Sequence, residues 1–116
     1  MPVPLEITAL IERLDRQLDE IEREATAGLN LAQDILKCFP NNFTVIQLSA
    51  FLNTAVFFVD TSKKIIHSLV KNLSATNLAT DVEIQEAGED LATDLGRAME
   101  TKMRVSQIKT RLAKLQ

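Results

Sequence analysis

His67 is the single histidine of the chain and Cys38 its single cysteine, so any chemistry beyond these two must come from carboxylates, hydroxyls or amines. A transition-metal site draws on several imidazoles or thiolates at helical or turn spacing, and here no carboxylate is spaced to complete a set with either residue. No Ser-His-Asp arrangement can be assigned around His67. Cys38 has Lys37 as its only charged sequence neighbour and precedes Phe39 and Pro40. A nucleophilic thiol wants a base and an electropositive setting, so Cys38 is expected to be a buried or half-buried structural thiol. The carboxylates are spread along expected helix flanks, where their ordinary role is solvation. These residues imply a protein without enzymatic activity, cofactor or metal.

Two further groups of residues could bind rather than react. Residues 97–116 contain Arg97, Lys102, Arg104, Lys109, Arg111 and Lys114 against the one acid Glu100. Such a segment could contact RNA, DNA or an acidic partner. Its spacing also suits another role: Arg97, Arg104 and Arg111 recur every seven residues on one side of an apolar stripe, and Lys102 and Lys109 recur on the other, as snorkelling charges beside a helix seam do. The second group is Ile66-His67-Ser68-Leu69-Val70-Lys71, which resembles the phosphoacceptor helix of histidine phosphotransfer domains, themselves helical bundles. In that family a Lys follows the His by three residues and a Gly by four. Val70 and Lys71 stand in those places here, which turns the lysine by about 100° around the helix and removes the space that glycine provides. The resemblance implies a phosphotransfer-like signalling module around His67 and covers these six residues only.

Composition bounds the scaffold that must position these groups. The 116 residues suit one domain, and 46% hydrophobic with 25% charged residues, three Gly and three Pro exclude a disordered or loop-rich chain. Trp and Tyr are absent, which removes most platforms for stacking nucleobases, and a net charge of -3 gives no general attraction to a polyanion. One cysteine allows no internal disulfide, and the first residues do not read as a secretory signal, so the expected location is the cytoplasm. Residues 38–59 carry no charge. Asn41, Asn42, Thr44, Gln47, Ser49, Asn53 and Thr54 interrupt them, so no membrane span is expected.

Hydrophobic periodicity predicts an all-α, antiparallel up-down-up bundle of three long helices over about 5–38, 45–73 and 81–115. In the first, Ile7, Ile11, Leu14, Leu18, Ile21, Ala25, Gly28, Ala32, Ile35 and Phe39 follow unbroken four-three steps. Gly28 could break this helix and give four. Because the heptad phase crosses it without slipping, one continuous helix is favoured, with Gly28 where another backbone comes close. Pro40 ends the helix. Thr44 with Gln47 reads as a capping box for the second, with Phe43 and Leu48 as a staple, and its stripe runs Val45, Leu48, Leu52, Ala55, Val59, Ser62, Ile66, Leu69 and Leu73. Thr80 with Glu83 reads as the box that opens the third, whose stripe of Leu91, Leu95 and Ala98 continues into Val105, Ile108, Leu112 and Leu115 after a phase slip. Acidic residues fill the first half of that helix and basic ones the second, as the helix dipole favours.

The stripes widen at one end of the bundle. Leu29, Leu31 and Leu36 flank the first, and Phe51, Val56, Phe58 and Ile65 flank the second, as in a central helix touching two neighbours. Phe57 falls at the outermost heptad position and Ile46 also lies off the stripe, so two neighbours do not bury both. Contiguous apolar surface marks an interface. The expected interface residues are Leu29, Leu31, Leu36, Ile46, Phe51, Val56, Phe57 and Phe58. The implied function is a self-associating interaction protein, a homodimer in preference, acting as adaptor, scaffold or assembly subunit with a further protein partner. A nucleic-acid accessory protein using the basic third helix is the first alternative, and the His67 signalling module the second.

Overall fold

A computed structural model of the chain describes residues 4–75 and 81–116. It contains three helices, α1 (Leu5–Cys38), α2 (Phe43–Ala75) and α3 (Asp81–Leu115). They lie along a body of 59 × 19 × 16 Å.

α1 starts without a side-chain cap from Pro4, whose ψ of 143° is extended and whose carbonyl accepts the Thr8 N–H at 3.0 Å. It passes Gly28 without a break. The close neighbour at Gly28 is the Leu52 side chain of α2 and not a second backbone: a Cβ there would lie 2.8 Å from Leu52 Cδ1. The helix ends where Phe39 N–H reaches back to Ile35 O at 2.9 Å and Pro40 can donate no further bond. Phe39 O then accepts the Asn42 N–H at 3.1 Å. Proline at the second position, with its φ preset, suits such a turn.

α2 opens two residues earlier than the capping-box pattern predicts. Asn42 is the cap: its Oδ1 accepts the Val45 N–H at 3.2 Å, and its carbonyl accepts the Ile46 N–H at 3.0 Å. Thr44 is therefore already inside the first turn, and Phe43, as the first helical residue, is 69% exposed instead of closing a staple onto Leu48. An asparagine next to the turn outcompetes Thr44 because it can cap directly where Pro40 releases the chain. At the other end of the link, Asp81 and Glu83 sit in the first turn of α3 and Lys114 in its last. Thr80, the other half of the expected α3 box, lies outside the described residues.

The central helix is α1. It packs along both α2 and α3, whereas α2 and α3 meet over a much shorter stretch. The expectation of a central second helix is thus corrected, and the reason lies in the stripes. The α1 stripe is buried along nearly its whole length, from Ile7 to Ile35, so it can serve two neighbours. Leu14, Leu18 and Ile21 of α1 are fully buried, together with Val45, Leu52 and Val59 of α2 and Val105 and Leu112 of α3. Each such side chain contributes about 1.5–3 kcal/mol of transfer free energy. Phe39, expected to continue the α1 stripe, is 65% exposed, because α1 ends at Cys38 and the chain leaves the helix axis there.

The α3 seam has no phase slip. Ala87, Leu91, Leu95, Ala98, Val105 and Leu112 are buried, and half-buried Thr101 and Lys102 fill the interval between Ala98 and Val105. Lys102 and Lys109 continue the seven-residue row of Leu95. What reads as a slip is a change from leucine to lysine at constant phase.

Candidate interaction surface

α2 presents three strips to its surroundings. One strip faces α1 and is buried. A second carries Phe51 and Phe58, which pack against the core, with Phe51 under Arg104 of α3, and continues to the exposed Ile65. The third faces away from both helices and carries Phe43, Ile46, Ala50 and Phe57. Phe57 is 71% exposed and Ile46 44%. Ala50 is exposed as well. The seven-residue repeat sets Phe43, Ala50 and Phe57 in a row at intervals of about 10.5 Å. No charged residue occurs from Cys38 to Val59, so the whole first half of this outer strip is neutral.

Of the eight residues expected at an interface, the structure separates two from six. Leu29, Leu31, Leu36, Phe51, Val56 and Phe58 are half-buried and pack against the core of the protomer. Widening of the α1 and α2 stripes is thus largely taken up by α1 packing on two helices. Phe57 and Ile46 stand clear. On α2, two large apolar residues missing from that set join them in exposure, Phe43 and, farther along, Ile65 at 53%. The signal for Phe43 is its place one heptad before Ala50 and two before Phe57.

α2 over Phe43–Ser74 is long and apolar enough, by length and composition, to cross a bilayer, and 22% of its most apolar window is buried. The polar residues counted as interruptions do not outweigh Val, Ile, Leu and Phe in that average.

The basic residues of α3 are mostly engaged. Lys102 pairs with Glu20, and Lys109 Nζ lies 3.0 Å from Glu24 Oε2, both across the α1–α3 seam. The hydrogen bond and charge of Lys102 hold the Glu20 carboxyl below its ordinary value. The Arg104 guanidinium carbon lies 5.6 Å from the centre of the Phe51 ring, a cation–π contact that ties α3 to α2. Arg97 approaches Asp94 at 3.7 Å. Arg111 and Lys114 are exposed near the C-terminal end.

On the opposite flank, Lys63 of α2 reaches Asp19 at 2.8 Å and Glu22 at 3.5 Å. These bonds raise the Lys63 ammonium above its ordinary value, Asp19 contributing most. Asp15 is raised by partial burial and by Asp19, against an opposing pull from Lys63. His67 is exposed in a shallow groove with Asp15, Asp19 and Lys63. Val70 packs against the core and Lys71 is exposed, so the lysine of the phosphotransfer resemblance points away from the wall on which Val70 sits. Cys38 is exposed, a correction to the expected semi-buried thiol. It is the last residue of α1, beyond the reach of the core that ends at Ile35. Among the described residues no three His, Cys, Asp or Glu side chains converge as a metal site.

No family model, curated protein or solved structure matches this chain.

Proposed function

We propose that the chain is a non-enzymatic interaction protein that self-associates through the outer strip of α2, as an adaptor, scaffold or assembly subunit of a larger system. One observation carries the reading: Phe57, in the middle of a 33-residue helix, is 71% exposed at the end of a stretch that carries no charge from Phe43 to Val59. A lone exposed apolar residue needs no explanation, but a row of them on a neutral helix face does. The flanks of α1 beside α2 carry Asp15, Asp19 and Glu22, and burying these carboxylates in hydrocarbon would be costly. A protein surface therefore suits α2 better than a bilayer. With Lys102, Lys109 and Arg104 already occupied, the basic stripe of α3 supports nucleic-acid binding less well than its sequence suggests.

Light scattering on the purified protein at tens of micromolar tests the proposal. A mass above one protomer is expected, falling to one protomer in Phe57→Asp with helicity unchanged. A strict monomer at that concentration overturns it.

A further inference from the structure

We infer that two copies meet as an antiparallel pair of α2 helices related by a two-fold axis that passes beside Ala50. The inference rests on the self-association reading above and specifies its geometry. The support is a self-complementary pattern. Phe43 and Phe57 lie seven residues on either side of Ala50, and Gln47 and Asn53 lie three residues on either side. A two-fold contact brings the same patch of both copies together, so a patch must match its own reverse. Centred on Ala50, this one does: Phe43 of one copy faces Phe57 of the other, Gln47 faces Asn53, and Ile46 faces Thr54, between Asn53 and Phe57 of the second copy.

The small side chain sits where two helices crossing in this way come closest, and large ones fall one heptad to each side. In a parallel pairing like residues would face one another instead, Phe43 on Phe43 and Phe57 on Phe57, with no role for the symmetry of the pattern. Charge agrees with the antiparallel register. Asp60, the first charge on the row of Ile46, and Lys64, the first on the outermost row, both lie past Phe57, outside the overlap with the second copy's Phe43.

The area also suits a second copy. Phe43 at 69% and Phe57 at 71% exposure, with Ile46 at 44%, offer roughly 300–350 Å² of apolar surface per copy. Doubled, and taken as the usual apolar share of slightly over half, this implies a total interface of roughly 1,100 Å². That is just above the ~1,000 Å² expected of a specific contact.

Disulfide trapping tests the register. Cys38 is exposed and is first replaced by serine. On that background Ala50→Cys, an exposed helical site, is oxidised under mild conditions and resolved without reductant. Covalent dimer is expected from Ala50→Cys alone, and from a mixture of Gln47→Cys with Asn53→Cys. Neither of these last two alone should give more than about a tenth as much, because like residues are then too far apart for a disulfide. Equal trapping of all three singly would show parallel helices and overturn the inference. So would a dimer by light scattering that Ala50→Cys fails to trap, with self-association itself left standing. A monomer by light scattering that traps at no position would remove both.

Discussion

Replacing Gly28 by alanine sets two opposing effects of known size against each other. Alanine in a helix interior is favoured over glycine by about 1 kcal/mol. The added Cβ would lie 2.8 Å from Leu52 Cδ1, where carbon pairs settle at about 3.5–4.0 Å. The Leu52 methyl must therefore withdraw by roughly an ångström, inside a core where that side chain is fully buried. Overpacking of this kind costs about 1–3 kcal/mol. Gly28→Ala should thus lower stability by up to about 2 kcal/mol despite its better propensity. Leu52→Ala removes the obstructing methyls and by itself costs about 2–5 kcal/mol. On that background Gly28→Ala should recover its propensity gain, and the new methyl partly fills the cavity. Denaturant unfolding of the four proteins, followed by circular dichroism at one fixed concentration, should give a favourable coupling of about 1–3 kcal/mol. Additive effects, or a full gain from Gly28→Ala in the wild type, would refute the close approach of α2 to α1 at this point.

The other glycines supply the contrast: at Gly96 a Cβ meets nothing within 4 Å, so Gly96→Ala should stabilise by about 0.5–1 kcal/mol in thermal unfolding. Asn42→Ala removes the α2 cap and should cost about 1 kcal/mol, whereas Thr44→Ala should be close to neutral in the same assay. Glu20 has its carboxyl held below the ordinary 4.5, so its pairing stabilises above that value and is lost as pH falls through the lowered one. Wild type and Lys102→Met should differ in melting temperature at neutral pH and converge in acid. Asp15 has the opposite sign: raised from 3.8, it favours the protonated native state, so its ionisation costs stability at neutral pH. Asp15→Asn should gain a few tenths of a kcal/mol at neutral pH and nothing in acid.

The helices were legible because their apolar steps are regular. Ile7 through Ile35 hold one heptad phase across Gly28, and Pro40 can only end a helix. Less legible was which helix lies at the centre. A widened stripe such as Leu29 and Leu36, or Phe51 and Val56, reports two neighbours without saying whose they are. Charges misled where they replaced apolar residues in phase, as Lys102 and Lys109 do, because their partners Glu20 and Glu24 stand on a helix far away in sequence. The α2 cap was misread by two residues, since Asn42 and Thr44 are both good caps and the preceding turn decides between them. At the surface, Phe57 and Ile46 were legible from heptad position alone, while Phe43 was hidden by its apparent role in a staple.

Sedimentation velocity over a concentration series tests the central claim most directly. Self-association through α2 requires the weight-average mass of the wild type to rise from one protomer toward two across the micromolar range, and that of Phe57→Asp to stay at one with its helicity intact. A wild-type mass that stays at one protomer throughout, or a Phe57→Asp variant that associates as the wild type does, would contradict it.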